Sequence, residues 1–87
     1  MFKFKAPDGT YNLCGKKVAK LRAEHNPSLT QHELAKQLQS RGYNIETHSI
    51  QSLELGERFI TDIELVMLAK FFNVSFEELL TINSTST

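Results

Sequence analysis

Three times along the chain a Ser or Thr is followed three positions later by a glutamate: TQHE at 30–33, TDIE at 61–64 and SFEE at 75–78. The hydroxyl can accept the backbone N–H of the fourth residue while the glutamate reaches back to the N–H of the first. Each tetrapeptide thus satisfies donors that an opening helix leaves orphaned. Behind each one, apolar residues recur at helical spacing. Leu34, Ala35 and Leu38 follow Thr30, whereas Leu65, Leu68, Ala69 and Phe72 follow Thr61 at i, i+3, i+4 and i+7. Phe76, Leu79 and Leu80, after Ser75, are expected to point inward. Gly42 supplies a left-handed stop for the first of these helices, and Asn73 ends the second. Most of the chain is thereby committed to short helices.

The remaining segments fit the same plan. Asn12 can cap a helix over roughly 13 to 25 that carries Leu13, Val18, Leu21 and Arg22. That helix breaks at Asn26-Pro27, because the residue before a proline leaves the helical region. Between Gly42 and Thr61, Ile50 and Leu53 share one face of a further helix that Gly56 stops. Residues 1–11 alternate Phe2 and Phe4 with lysines and then reach Pro7 and Asp8-Gly9, which reads as an arm or short strand ending in a turn. Residues 82–87 have too little to bury and are expected to form a disordered tail. The expectation is one all-α domain of five short helices over 12–81, since a second core would need more residues than the first leaves over.

Several function classes find no support. No apolar run approaches the roughly 20 residues of a membrane helix, and the first residues lack the apolar stretch of a secretory signal, so a cytoplasmic location is expected. Cys14 is the single cysteine and is expected to pack as a small hydrophobe. His25, His32 and His48 are spaced unlike metal ligands, so no metal is expected and these read as ordinary surface histidines. Nothing resembles a nucleophile motif or a phosphate loop; neither an enzyme, a cofactor nor a small-molecule ligand is indicated. The formal net charge is zero, but the charge is polarised. Residues 1–43 carry eight cations against three carboxylates, and residues 44–87 carry two against seven.

The order of motifs resembles the phage repressor and Cro-like (XRE-type) family of helix-turn-helix transcriptional regulators over about residues 13 to 80. The pieces are LTQHELA at 29–35, Ile45 as an apolar plug after the turn, SIQSLELG at 49–56, and LAKFFNVSFEELL at 68–80. The resemblance implies that the second helix lies across a DNA backbone while the third enters the major groove. It marks Gln31 as a phosphate contact, adds Thr47 to the base-reading candidates, and pairs Glu54 with Arg22 to lock the third helix to the first. At about 100° per residue, His48, Gln51, Ser52 and Leu55 point away from the Ile50 and Leu53 face, and these form the expected reading edge. Arg58 is the nearest cation and joins the candidate contacts.

Three features depart from the family pattern. The stretch from Gln39 to Glu46 is long, which reads as an extra turn before Gly42. Glu46 stands where a small cap is usual, so Thr47 is a candidate cap in its place, and Glu57 stands where a cation is common. The function implied is a sequence-specific double-stranded DNA-binding regulator, a repressor by resemblance. The alternative is an antitoxin-like or scaffold interaction module on the same fold, which the neutral charge and Glu57 favour. A second apolar stripe of Ile60, Ile63, Met67 and Phe71 suggests a homodimer.

Overall fold

The computed structural model describes residues 9–80. The helices are α1 (Gly15–Glu24), α2 (Gln31–Ser40), α3 (Thr47–Glu54), α4 (Asp62–Phe72) and α5 (Phe76–Leu80), with no strand among the described residues. Residues 1–8 of the expected arm over 1–11, and the whole of the expected tail over 82–87, lie outside them. All three Ser/Thr starts form. Thr30 with Glu33 and Thr61 with Glu64 make complete capping boxes, and the Glu78 amide donates to Ser75 Oγ at 3.0 Å. The stops form as well: Gly42, Gly56 and Asn73 all have positive φ, at 93°, 75° and 55°.

The core gathers one or more residues from every helix: Val18, Leu34, Leu38, Ile50, Leu53, Leu68 and Leu79 are all essentially buried. Each such side chain contributes about 1.5–3 kcal/mol by burial, against about 1 kcal/mol for a cap, so packing supplies the stability and the caps set where helices begin. Through this core α3 packs against both α1 and α2, while α5 packs on α4 and α1. Cys14 is fully buried, and burial pushes its thiol up to about 11, out of the range of a reactive thiolate.

Four sequence expectations are corrected. Helix α1 begins at Gly15, because Asn12 accepts the Gly15 amide from three positions ahead of it and Leu13 remains half exposed. Phe76 points outward, 52% exposed, leaving Leu79 as the buried anchor of α5. His25 is no plain surface histidine: its Nδ1 lies 2.9 Å from the Pro27 carbonyl oxygen and its ring stacks on Phe71 at 5.8 Å. The second stripe of α4 also splits, since Met67 is buried and Phe71 lies between the His25 ring and the Arg41 guanidinium, 4.7 Å from its centroid. Ile63 alone of that stripe is exposed.

Candidate nucleic-acid interface

The candidate edge belongs to α3, whose place is set from both ends. At its C-terminal end Glu54, with only 6% of its side chain exposed, receives Arg22 in a fork: Nε to Oε2 and Nη2 to Oε1, both at 2.8 Å. The third Arg22 nitrogen, Nη1, donates to the Leu29 carbonyl at 2.9 Å, and Gln31 Nε2 donates to Glu54 Oε1 at 2.9 Å. One carboxylate therefore joins α1, α2 and α3, and Arg22 adds the α1–α2 connection. The fork also raises the Arg22 guanidinium above its ordinary value through the hydrogen bond to Glu54, although burial acts the other way.

Arg58 makes a second fork. Its Nη1 and Nη2 donate to Glu64 Oε1 and Oε2, each at 3.0 Å, while Nε donates to the Ser49 carbonyl at 3.1 Å. Glu64 Oε1 simultaneously accepts the Thr61 amide at 2.9 Å, so the carboxylate that caps α4 also holds the cation that grips α3. Burial alone would raise the Glu64 pKa; the hydrogen bonds from Arg58 and Thr61 and the Arg58 charge outweigh it and hold the carboxyl below its ordinary value.

A third fastening comes from the segment ahead of α1. Asn12 Nδ2 donates to the carbonyls of Leu53 at 3.0 Å and Arg58 at 2.8 Å, and the Tyr11 amide donates to the Gly56 carbonyl at 2.9 Å. Gly15 lets this happen. A Cβ there would overlap the Leu53 carbonyl oxygen and come within 3.2 Å of the Glu54 Cα, so α1 meets the end of α3 backbone to backbone. No local sequence pattern points to Asn12, Gly15 or the Arg58–Glu64 pair in these roles, because each depends on a contact between separate elements.

The sequence-derived candidates fall into two groups. His48, Gln51 and Leu55 stand exposed on α3 or at its C-cap, with Ser52 half-buried beside them, opposite the buried Ile50 and Leu53. Ser52 Oγ donates to the His48 carbonyl at 3.0 Å, which leaves its oxygen lone pairs as the free function. Thr47 is the first residue of α3, not its cap. The cap position is Glu46, whose side chain makes no capping bond, and Thr47 Oγ1 lies 3.3 Å from His32 Nδ1. In the second group donors are engaged internally: Gln31 gives one amide hydrogen to Glu54, and Arg58 gives its two terminal nitrogens to Glu64. Glu46 lies 3.8 Å from His48 Nδ1, so a carboxylate stands at the entry of α3.

Among the described residues, no three of His, Cys, Asp and Glu gather in a metal-binding group, and no helix is long and apolar enough to cross a membrane. No protein-family model matches the chain, and comparison with curated proteins and with solved structures gives no match.

Proposed function

We propose that this chain is a helix-turn-helix regulator of the repressor and Cro-like type that binds duplex DNA with α3 in the major groove. One observation carries the reading: α3 exposes His48, Gln51 and Leu55 along one edge while its other edge is buried and its axis is held by both arginine forks. A rigidly presented polar helix edge is what base reading in a groove about 12 Å wide requires. Gln51 can make a bidentate contact with adenine, Ser52 can accept from a base amine, and Leu55 can meet a thymine methyl, so an adenine- and thymine-leaning half-site is expected. Gln31, with one amide hydrogen on Glu54, keeps its second for a phosphate oxygen.

Selection from random duplex DNA tests this. An enriched motif is expected, and Gln51→Ala should relax one base position by about 1–3 kcal/mol, whereas Gln31→Ala should weaken all sequences alike. An enriched motif that neither Gln51→Ala nor Ser52→Ala alters would remove α3 as the reader. The second reading is a protein-interaction module, which a carboxylate at the entry of α3 and an Arg58 already occupied by Glu64 favour. No enrichment from a folded protein would favour it.

A further inference from the structure

We infer that His32, on α2, is a positioning residue for base reading: acting through Thr47, it makes the base preference at the head of α3 depend on its own protonation. The inference rests on the proposal that α3 reads bases. His32 is the second residue of α2 and Thr47 the first of α3, and the packing of these helices brings His32 Nδ1 within 3.3 Å of Thr47 Oγ1. Thr47 opens α3 without capping it, since the cap position belongs to Glu46. Its hydroxyl therefore has no duty inside its own helix. Standing one turn before Gln51 on the same side of α3, Thr47 heads the exposed edge, and its hydroxyl is aimed by a residue of the neighbouring helix.

The contact joins a group that can reverse its role to one that must follow. A neutral imidazole has one N–H donor and one bare acceptor nitrogen, an imidazolium has two donors, and a threonine hydroxyl has one hydrogen and two lone pairs. Gln31, the preceding residue, is the phosphate contact of the proposed complex, and a phosphate oxygen beside His32 can only accept. Nε2 must then carry the ring hydrogen, which leaves Nδ1 bare while His32 is neutral. In that state Nδ1 accepts the Thr47 hydrogen, and Thr47 offers DNA only lone pairs. These accept from the exocyclic amine of adenine or cytosine. When Nδ1 takes a proton from solvent, its N–H donates to Oγ1 instead, and the Thr47 hydrogen is released. That hydrogen can donate to O6 or N7 of guanine or to O4 of thymine.

Few other ionisable groups compete for the ring. On α3, Glu46 and His48 flank Thr47, and the Glu46 carboxylate lies 3.8 Å from His48 Nδ1. On α2, Glu33 holds the Thr30 amide at 2.8 Å, and Lys36 is exposed one turn further on. His32 has no ion-pair partner among the described residues. Histidine ordinarily changes charge between about pH 5 and pH 8, so both states are open to experiment.

The test is selection of the full chain on random duplex DNA at about pH 5.8 and about pH 8, with circular dichroism at both to establish that each variant is folded. One column of the enriched motif should move from adenine or cytosine at high pH to guanine or thymine at low pH, by about three- to tenfold in relative enrichment, as one hydrogen bond dictates. His32→Gln and Thr47→Val should each abolish the movement, whereas Thr47→Ser, which keeps the hydroxyl, should retain it. A purely structural role for His32 would instead weaken every column alike and leave the pH difference in place. The proposal is overturned by a motif identical at the two pH values, which leaves the DNA reading standing. It is overturned equally by a shift that survives His32→Gln, because the titrating group is then His48. A folded parent that enriches no motif at either pH removes the DNA reading and this inference with it.

Discussion

Replacing Glu54 tests whether one carboxylate holds α3 in place. It accepts three hydrogen bonds, from Arg22 Nε, Arg22 Nη2 and Gln31 Nε2, at 2.8, 2.8 and 2.9 Å. Hydrogen bonds to charged groups are worth about 1.5–3 kcal/mol each, but they share one acceptor and do not add. Breaking a buried pair costs about 3–5 kcal/mol because the partner charge is stranded. Arg22 is 20% exposed and keeps its bond to the Leu29 carbonyl, so it regains some hydration and the low end applies. Glu54→Ala should therefore lose about 3 kcal/mol, or about 12–24 °C in Tm for a domain of this size. Total stability should be about 4–13 kcal/mol, so the loss is large but measurable. Urea unfolding followed by circular dichroism gives the number. Arg22→Met with Glu54→Leu, which removes both charges, should recover much of it, since apolar replacements often equal a buried pair. A Glu54→Ala loss under about 1 kcal/mol, or a double variant less stable than both single ones, would refute the reasoning.

Gly15→Ala should destabilise by about 2 kcal/mol, although alanine is the better helix former by about 1 kcal/mol, because its Cβ would displace the Leu53 carbonyl; urea unfolding at or above the parent's stability would contradict this. Glu64 gives a pH signature. Its folded pKa lies below the ordinary 4.5, so its contribution is complete above that value and is lost as pH falls through the lower folded value. The stability gap between the parent and Glu64→Gln should therefore narrow as pH falls from about 5 to about 3, and a gap constant across that range would count against the ion pair as its source.

The extent to which this fold could be read from sequence follows the range of each interaction. Capping boxes and glycine stops are decided within four or five residues, and Thr30, Thr61, Gly42, Gly56 and Asn73 all stand where the sequence pattern predicts. Apolar spacing locates Ile50 and Leu53, and on α4 it marks Leu65, Leu68, Ala69 and Phe72 as the core stripe with Met67 and Phe71 in a second stripe beside it, although all of these side chains suit a core. Tertiary neighbours decided that: Met67 turned inward, and His25 and Arg41 covered Phe71. Phe76 faced outward because a five-residue helix needs only Leu79 to anchor it. Glu54 and Arg22 are 32 positions apart and were paired only through a family resemblance. Asn12, which bonds to carbonyls 41 and 46 positions away, has no local signature beyond that of an ordinary cap.

The two arginine forks bear on what α3 can bind. A buried ion pair is weak evidence for stability, since desolvation offsets most of its attraction, but its planar, two-point geometry fixes direction better than an apolar contact. Here Glu54 fixes the C-terminal turn of α3 against α1, and Arg58 fixes its first half through the Ser49 carbonyl. Both arginines beside α3 are thereby neutralised internally. Non-specific attraction to a polyanion scales with the cations offered to it. The edge formed by His48, Gln51, Ser52 and Leu55 offers hydrogen bonds and apolar surface in place of charge. Under the proposed reading, discrimination between sequences must come from that edge, and the charge for phosphate contact must come from lysines on other helices, with Lys36 exposed on α2. Affinity would then fall with salt as roughly three neutralised phosphates per subunit dictate, a shallow dependence beside that of a protein whose reading helix is itself basic.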